Sequence, residues 1–199
     1  MNNILKSVVT LGVCGFLVIA GCEKKRMEDN RSEEIATESN EAKFDGDSKE
    51  AADFVLEAAK ANLSEVKLGQ LGREKAKDAE LKSYADMMVE HHKTMFNETS
   101  DFAVKKGISI PDSVSVADIN GYNSLKNEKT GRDFDKKFAR TMVDEHEKAV
   151  SMFESQLNDA KDSTVKEFAR KALPQLRTHL EQAKTLQTKL DKTEDNKKK

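Results

Sequence analysis

Four segments of this chain repeat apolar residues at alternating spacings of three and four, and no other feature limits its fold as strongly. The clearest stripe is Val165, Ala169, Ala172, Leu176, His179, Ala183, Leu186 and Leu190. Residues so spaced line one face of an α-helix. Comparable stripes are Phe54, Ala58, Ala61, Glu65, Leu68 and Gly72; Leu81, Ala85, Met88, His92, Met95 and Phe102; and Phe134, Phe138, Met142, His146, Ala149 and Phe153. Strand-type alternation is nearly absent, and only 2 prolines occur in the chain, so helical periodicity dominates.

End signals place the helices. The first opens at the capping box Asp47-Ser48-Lys49-Glu50 and runs to about Lys77. The second starts at Asp78 and stops at Gly107, with Pro111 just beyond. A connector from Ile108 to Arg132 carries a short helix near Val116 to Leu125. The third helix covers Asp133 to Asp159, and the fourth runs from Ser163 to Leu190, with a bend expected at Pro174. The fold expected is all-α: an antiparallel four-helix bundle over residues 48 to 190, about 40 Å long, with a short extra helix in the connector between the second and third helices.

Each stripe holds one strongly polar residue near its centre: Glu65, His92, His146 and His179. Midpoints of equal antiparallel helices share a layer, so these four side chains are expected to converge. Two of them belong to a phrase written twice, Tyr84-Ala85-x-x-Met88-Val89-Glu90-His91-His92 and Phe138-Ala139-x-x-Met142-Val143-Asp144-Glu145-His146.

Three neutral imidazoles and a carboxylate form a donor set for one metal ion: zinc, iron, manganese or copper. Met88, Met142 and His91 are secondary candidates, since thioether plus imidazole favours copper(I), although Met at core spacing also serves as a gap-filler. His91 lies one position off the inner face. The competing reading needs no metal: the four groups satisfy one another, with Glu65 holding a partly protonated histidine cluster, in a structural or interaction module of the cell envelope.

Catalytic constellations are lacking. There is no Gly-x-Ser-x-Gly elbow and no glycine-rich phosphate loop. The Glu-x-x-His pattern of di-iron bundles is also missing, because Val89, Val143 and Leu176 stand three before the histidines. Acid–base chemistry by the cluster is a third reading, and the residues point away from an enzyme.

The N-terminus indicates export. After Lys6, an apolar run from Val8 to Ala20 is too short to span a bilayer and has signal-peptide length. It ends in Ile19-Ala20-Gly21-Cys22, which reads as a bacterial lipobox. Residues 1 to 21 are then a lipoprotein signal peptide, and lipidated Cys22 is the membrane anchor. The location expected is the bacterial envelope, at the outer membrane, with the domain in the periplasm or at the cell surface. Cys14 leaves with the signal, so the mature chain has no free thiol for redox catalysis or zinc ligation. Residues 22 to 47 read as the lipidated Cys and a disordered tether spanning roughly 25 to 30 Å, and residues 191 to 199 as a charged tail. With 34 basic against 36 acidic residues, nucleic acid is not a partner. No protein partner is specified.

Glu65-Val66-x-Leu68-Gly69-x-Leu71, Tyr84-Ala85-x-x-Met88-Val89-x-x-His92, Phe134-Asp135, Met142-Val143-Asp144-x-His146 and Phe168-Ala169 through Leu173-Pro174-x-Leu176-x-x-His179 together resemble the bacterial domain of unknown function 4142, over about residues 50 to 188. The resemblance implies a ferritin-like bundle in exported proteins, many described as outer membrane proteins, and no settled activity. Met88 to His92 also resembles the Met-x-x-His-His phrase of the domain of unknown function 305, which is associated with metal handling. The third helix departs from that phrase, with Glu145 where a second consecutive His would stand.

Overall fold

The computed structural model describes the backbone of residues 19 to 195 and the side chains of residues 31 to 192. Residues 1 to 18, and with them most of the expected signal peptide, lie outside that range. The described helices are α1 (Ile19–Lys43), α2 (Gly46–Lys75), α3 (Ala79–Lys106), α4 (Tyr122–Asn127), α5 (Arg132–Asp159) and α6 (Ser163–Asp195), and no strand occurs among the described residues. None of these helices is long and apolar enough to cross a membrane.

Local chemistry sets the ends of α3. The Asp78 carboxylate accepts from the amides of Glu80 and Leu81, both at 3.0 Å, and Gly107 closes the helix at φ 64°. These are the boundaries expected from sequence. The start of α2 differs, because Asp45 and Ser48 form the capping box and the helix begins at Gly46. The connector helix also lies later than Val116 to Leu125. Gly121 takes φ 74°, a left-handed conformation that no continuous helix tolerates, so α4 starts only after it.

Two hairpins, α2–α3 and α5–α6, build the bundle. Asp135, buried at the start of α5, accepts from the backbone amides of Lys77 and Asp78 at 2.9 and 2.8 Å, which fastens α5 to the α2–α3 turn. At the other end, Phe54 of α2 meets Phe153 of α5 and Phe168 of α6 with ring centroids 5.0 and 6.0 Å apart. Neighbouring helices are therefore antiparallel, and residues 107 to 131 run the length of the bundle between α3 and α5. Pro174 lies inside α6, which continues through it.

The apolar core is in two parts. One gathers Leu81, Met88, Phe134, Phe138 and Met142; the other gathers Phe54, Val55, Phe153, Leu173 and Leu176. Each fully buried Leu or Phe contributes about 1.5–3 kcal/mol. Between the two parts lies the polar layer.

Residues 23 to 47 are not a disordered tether as read from sequence. Most of them lie in α1, whose C-terminal half packs on the bundle through polar bonds. Asn40 donates to the Ser109 carbonyl and accepts from the Ser109 amide, each at 2.8 Å. Lys43 donates to the Gly107 carbonyl at 2.6 Å, and Glu33 pairs with Lys60 at 2.6 Å. A helix held by side-chain hydrogen bonds carries no apolar stripe, so periodicity does not reveal it. The packed unit therefore reaches back before residue 48, and α6 extends into the expected tail.

Gly72 allows α2 to approach α5. A Cβ there would fall within 3.0 Å of three atoms of the Phe138 ring. Overpacking costs about 1–3 kcal/mol, against roughly 1 kcal/mol that alanine gains over glycine in a helix. Gly72→Ala is accordingly expected to lower the urea midpoint; an unchanged or raised midpoint would show that the ring moves aside freely.

Candidate metal centre

His92 on α3, His146 on α5 and His179 on α6 are each almost wholly buried and meet in one layer. Ring centroids are 5.5 Å apart for His92 and His146, 5.2 Å for His92 and His179, and 5.4 Å for His146 and His179. One nitrogen from each ring lies within 4.8 Å of the others.

Each imidazole is oriented through one nitrogen. His92 Nδ1 lies 2.9 Å from Asn62 Oδ1. The Asn62 amide donates to the Ala58 carbonyl at 2.9 Å and to Thr99 Oγ1 at 3.3 Å, so its oxygen must face His92. His92 Nδ1 is thus the donor and Nε2 carries the lone pair. His146 Nδ1 donates to the Met142 carbonyl at 2.8 Å, which gives it the same tautomer. His179 Nε2 lies 2.9 Å from His91 Nδ1, and the Tyr84 hydroxyl donates to the His179 carbonyl at 3.3 Å. The remaining nitrogens, His92 Nε2, His146 Nε2 and His179 Nδ1, are buried with no hydrogen-bond partner. Pinning one ring nitrogen while leaving the other bare is how proteins prepare histidine for a metal.

The other sequence candidates occupy different places. Glu65 is buried in the same region, but its Oε1 is 3.8 Å from His146 Nδ1, on the edge that faces the Met142 carbonyl. It does not join the three converging donors. His91 is a partly buried outer partner, stacked on His179 with centroids 5.2 Å apart. Met88 and Met142 are fully buried in the apolar part that includes Phe138.

Burial dominates the electrostatics. Desolvation lowers His146 to about 4 and His179 to about 3, and pushes His92 well below the usual histidine range. The same effect, helped by Glu145, raises Glu65 to about 8. At neutral pH the rings are unprotonated and Glu65 is uncharged. Burial thus disfavours the charged forms that a carboxylate holding a protonated histidine cluster would require.

A cavity of about 380 Å³ opens between α2, α5 and residues 118 to 120. Its wall includes Asn62, Glu65, His92 and His146, with Lys60 and Lys148 on the solvent side. A larger groove of about 690 Å³ between α3 and α6 contains none of the four histidines.

The domain of unknown function DUF4142 matches residues 36–186, most of the described chain. The chain belongs to the DUF4142 family. A solved structure with a similar fold is that of a DUF305 fragment from Deinococcus radiodurans, at TM-score 0.59 and 17% identity, covering 71% of this chain and 95% of that one. At such identity the likeness concerns the fold alone. No curated protein matches the chain. The DUF4142 match begins inside α1, consistent with that helix being part of the packed unit.

Sequence reading of this DUF4142 chain missed Asn62, Thr99 and the Met142 carbonyl. Asn62 stands three before Glu65 and next to Ala61 of the α2 stripe, and that was its only signal. A backbone carbonyl leaves none.

Without metal, the layer makes stability depend on pH. Below the unfolded value near 6.5, the unfolded chain takes up protons that the buried rings refuse, so stability falls as pH drops through that range. Glu65 acts oppositely, because its raised value makes the folded state hold a proton that the unfolded state releases above about 4.5. Three histidines outweigh one carboxyl on the acid side. Stability of the metal-free protein is expected to peak near pH 7 and to fall by on the order of 3 kcal/mol toward pH 5, read by urea titration at each pH. A His92→Leu, His146→Leu double variant should flatten the acid limb.

Proposed function

We propose that this protein binds one transition-metal ion through His92 Nε2, His146 Nε2 and His179 Nδ1, for metal buffering or sensing in the bacterial cell envelope. The observation that carries the reading is the set of three buried ring nitrogens without a hydrogen bond, on imidazoles that each offer a ligand atom within 4.8 Å of the others. Leaving them bare costs about 1–3 kcal/mol apiece, a penalty that a bound cation removes. An all-imidazole donor set favours zinc and copper over manganese and other oxygen-seeking ions. Glu65 acts from outside the donor set, beside the Nδ1 edge of His146. Anchoring through lipidated Cys22 at the outer membrane is part of the proposal and is supported by the apolar run that ends in Ile19-Ala20-Gly21-Cys22.

Calorimetry of the protein with zinc and copper is expected to show one equivalent bound tighter than millimolar. Ion at a hundredfold excess over Kd should stabilise the fold by about 2.7 kcal/mol. His146→Ala should abolish the tight phase, and Asn62→Ala should weaken it by about 10–100-fold through loss of ring orientation. Absence of both heat and thermal stabilisation would leave the non-metal reading. In that case the His92→Leu, His146→Leu variant should be more stable than the parent and keep its cellular phenotype.

A further inference from the structure

The cavity between α2, α5 and residues 118 to 120 holds a polar group that the metal reading leaves unused. Glu65 is more than nine-tenths buried, lines this cavity, and its Oε2 has no hydrogen-bond partner. Unlike the bare histidine nitrogens, it lies outside the converging donor group. A buried polar atom left alone is costly, so a cavity that presents one is fitted to a ligand that bonds it. We propose that the cavity binds an uncharged aromatic molecule carrying a hydroxyl, with the hydroxyl on Glu65 Oε2 and the ring against the apolar wall. This goes beyond the metal reading and does not rest on it.

Size and lining select the body of the ligand. The cavity measures about 380 Å³, and one of roughly 150 Å³ with apolar walls already admits benzene, so a substituted ring fits. Its wall includes Ala58 and Ala61 of α2, Met95 of α3, and Ala149, Met152 and Phe153 of α5. The alanines leave the room, while two methionine sulfurs and a phenylalanine favour an aromatic ring over an alkyl chain.

Charge at the mouth selects a neutral molecule. Lys60 is paired with Glu33 and Glu57 at 2.6 and 2.9 Å, and Lys148 with Glu145 at 2.7 Å. These ionic groups satisfy one another, so they offer no special partner to an anion or a cation. An ion carried past them would rest against the apolar wall with its charge poorly met. A neutral ligand incurs no such penalty.

The polar end of the ligand follows from Glu65. A hydroxyl is both donor and acceptor, so it bonds Oε2 whether or not the carboxyl carries a proton. Asn62, on the same wall, is already bonded to His92, the Ala58 carbonyl and Thr99. Glu65 is therefore the anchor on α2.

The probes are p-cresol and toluene, which differ only by the hydroxyl. The full chain in detergent, with a chelator present, is isotopically labelled at its methionine methyl groups for NMR. Ring currents of a bound aromatic move the Met95 and Met152 signals, whereas ligand dissolved in micelles does not. Saturable shifts of both signals with p-cresol are expected. Glu65→Leu should weaken p-cresol at least about tenfold and leave toluene unchanged or tighter, while Glu65→Gln, which keeps a donor and an acceptor, should retain p-cresol. Ala61→Leu and Ala149→Leu, which fill the cavity from α2 and α5, should each weaken both ligands. Substitutions on two helices keep the test usable if one variant fails to fold. Absence of saturable shifts, p-cresol binding indifferent to Glu65→Leu, or benzoate or benzylammonium bound as tightly as p-cresol would overturn the inference. With metal removed by the chelator, none of these outcomes bears on the histidine centre, which stands or falls on zinc and copper calorimetry.

Discussion

Everything in this bundle depends on the burial of three uncharged imidazoles in a single layer. Each ring is almost wholly buried and finds a partner for one nitrogen within the protein: Asn62, the Met142 carbonyl or His91. The other nitrogens are left bare. At about 1–3 kcal/mol for each unsatisfied buried group, the layer is a local weakness rather than a source of stability. Offsetting it are the apolar parts above and below, each with several fully buried Phe, Leu, Met or Val side chains at about 1.5–3 kcal/mol apiece.

The topology explains why the layer is both enclosed and reachable. Within the α2–α3 and α5–α6 hairpins short turns keep the helices in close register, and Gly72 lets α2 close on Phe138 in one half of the molecule. Between α2 and α5, in the region of Lys60, Glu145 and Lys148, the helices leave the cavity that reaches His92 and His146. The long connector crosses beside this opening, because α5 must begin at the α2–α3 turn where Asp135 caps two backbone amides. A rigid frame and a soft polar centre are thus products of the same antiparallel arrangement.

Residue by residue, some features were open to sequence reading and others were not. Asp78 and Gly107 delimit α3 through local backbone chemistry, so they act wherever they occur in a helical sequence. The four stripes needed only the 3.6-residue period. By contrast, α1 is joined to the bundle by Asn40, Lys43 and Glu33, polar residues whose partners lie far along the chain, and composition alone read as a tether. The start of α4 turned on a single left-handed glycine. Asn62 was overlooked because a polar residue beside the stripe looks like a helix flank, and its role exists only in relation to His92 and Thr99.

The sequence by itself determined the all-α class, the four apolar stripes that became α2, α3, α5 and α6, and the presence of His92, His146 and His179 near the middle of their stripes, because these depend on periodicity and on local end signals. Only the tertiary structure decided which nitrogen of each ring is bare, that Glu65 stands outside the donor group, and that His91 is an outer partner of His179. Those outcomes follow from rotamers and from hydrogen bonds between distant residues. A polar centre in a helical stripe announces that something must meet it, whereas the direction in which it points is settled only by the groups packed around it.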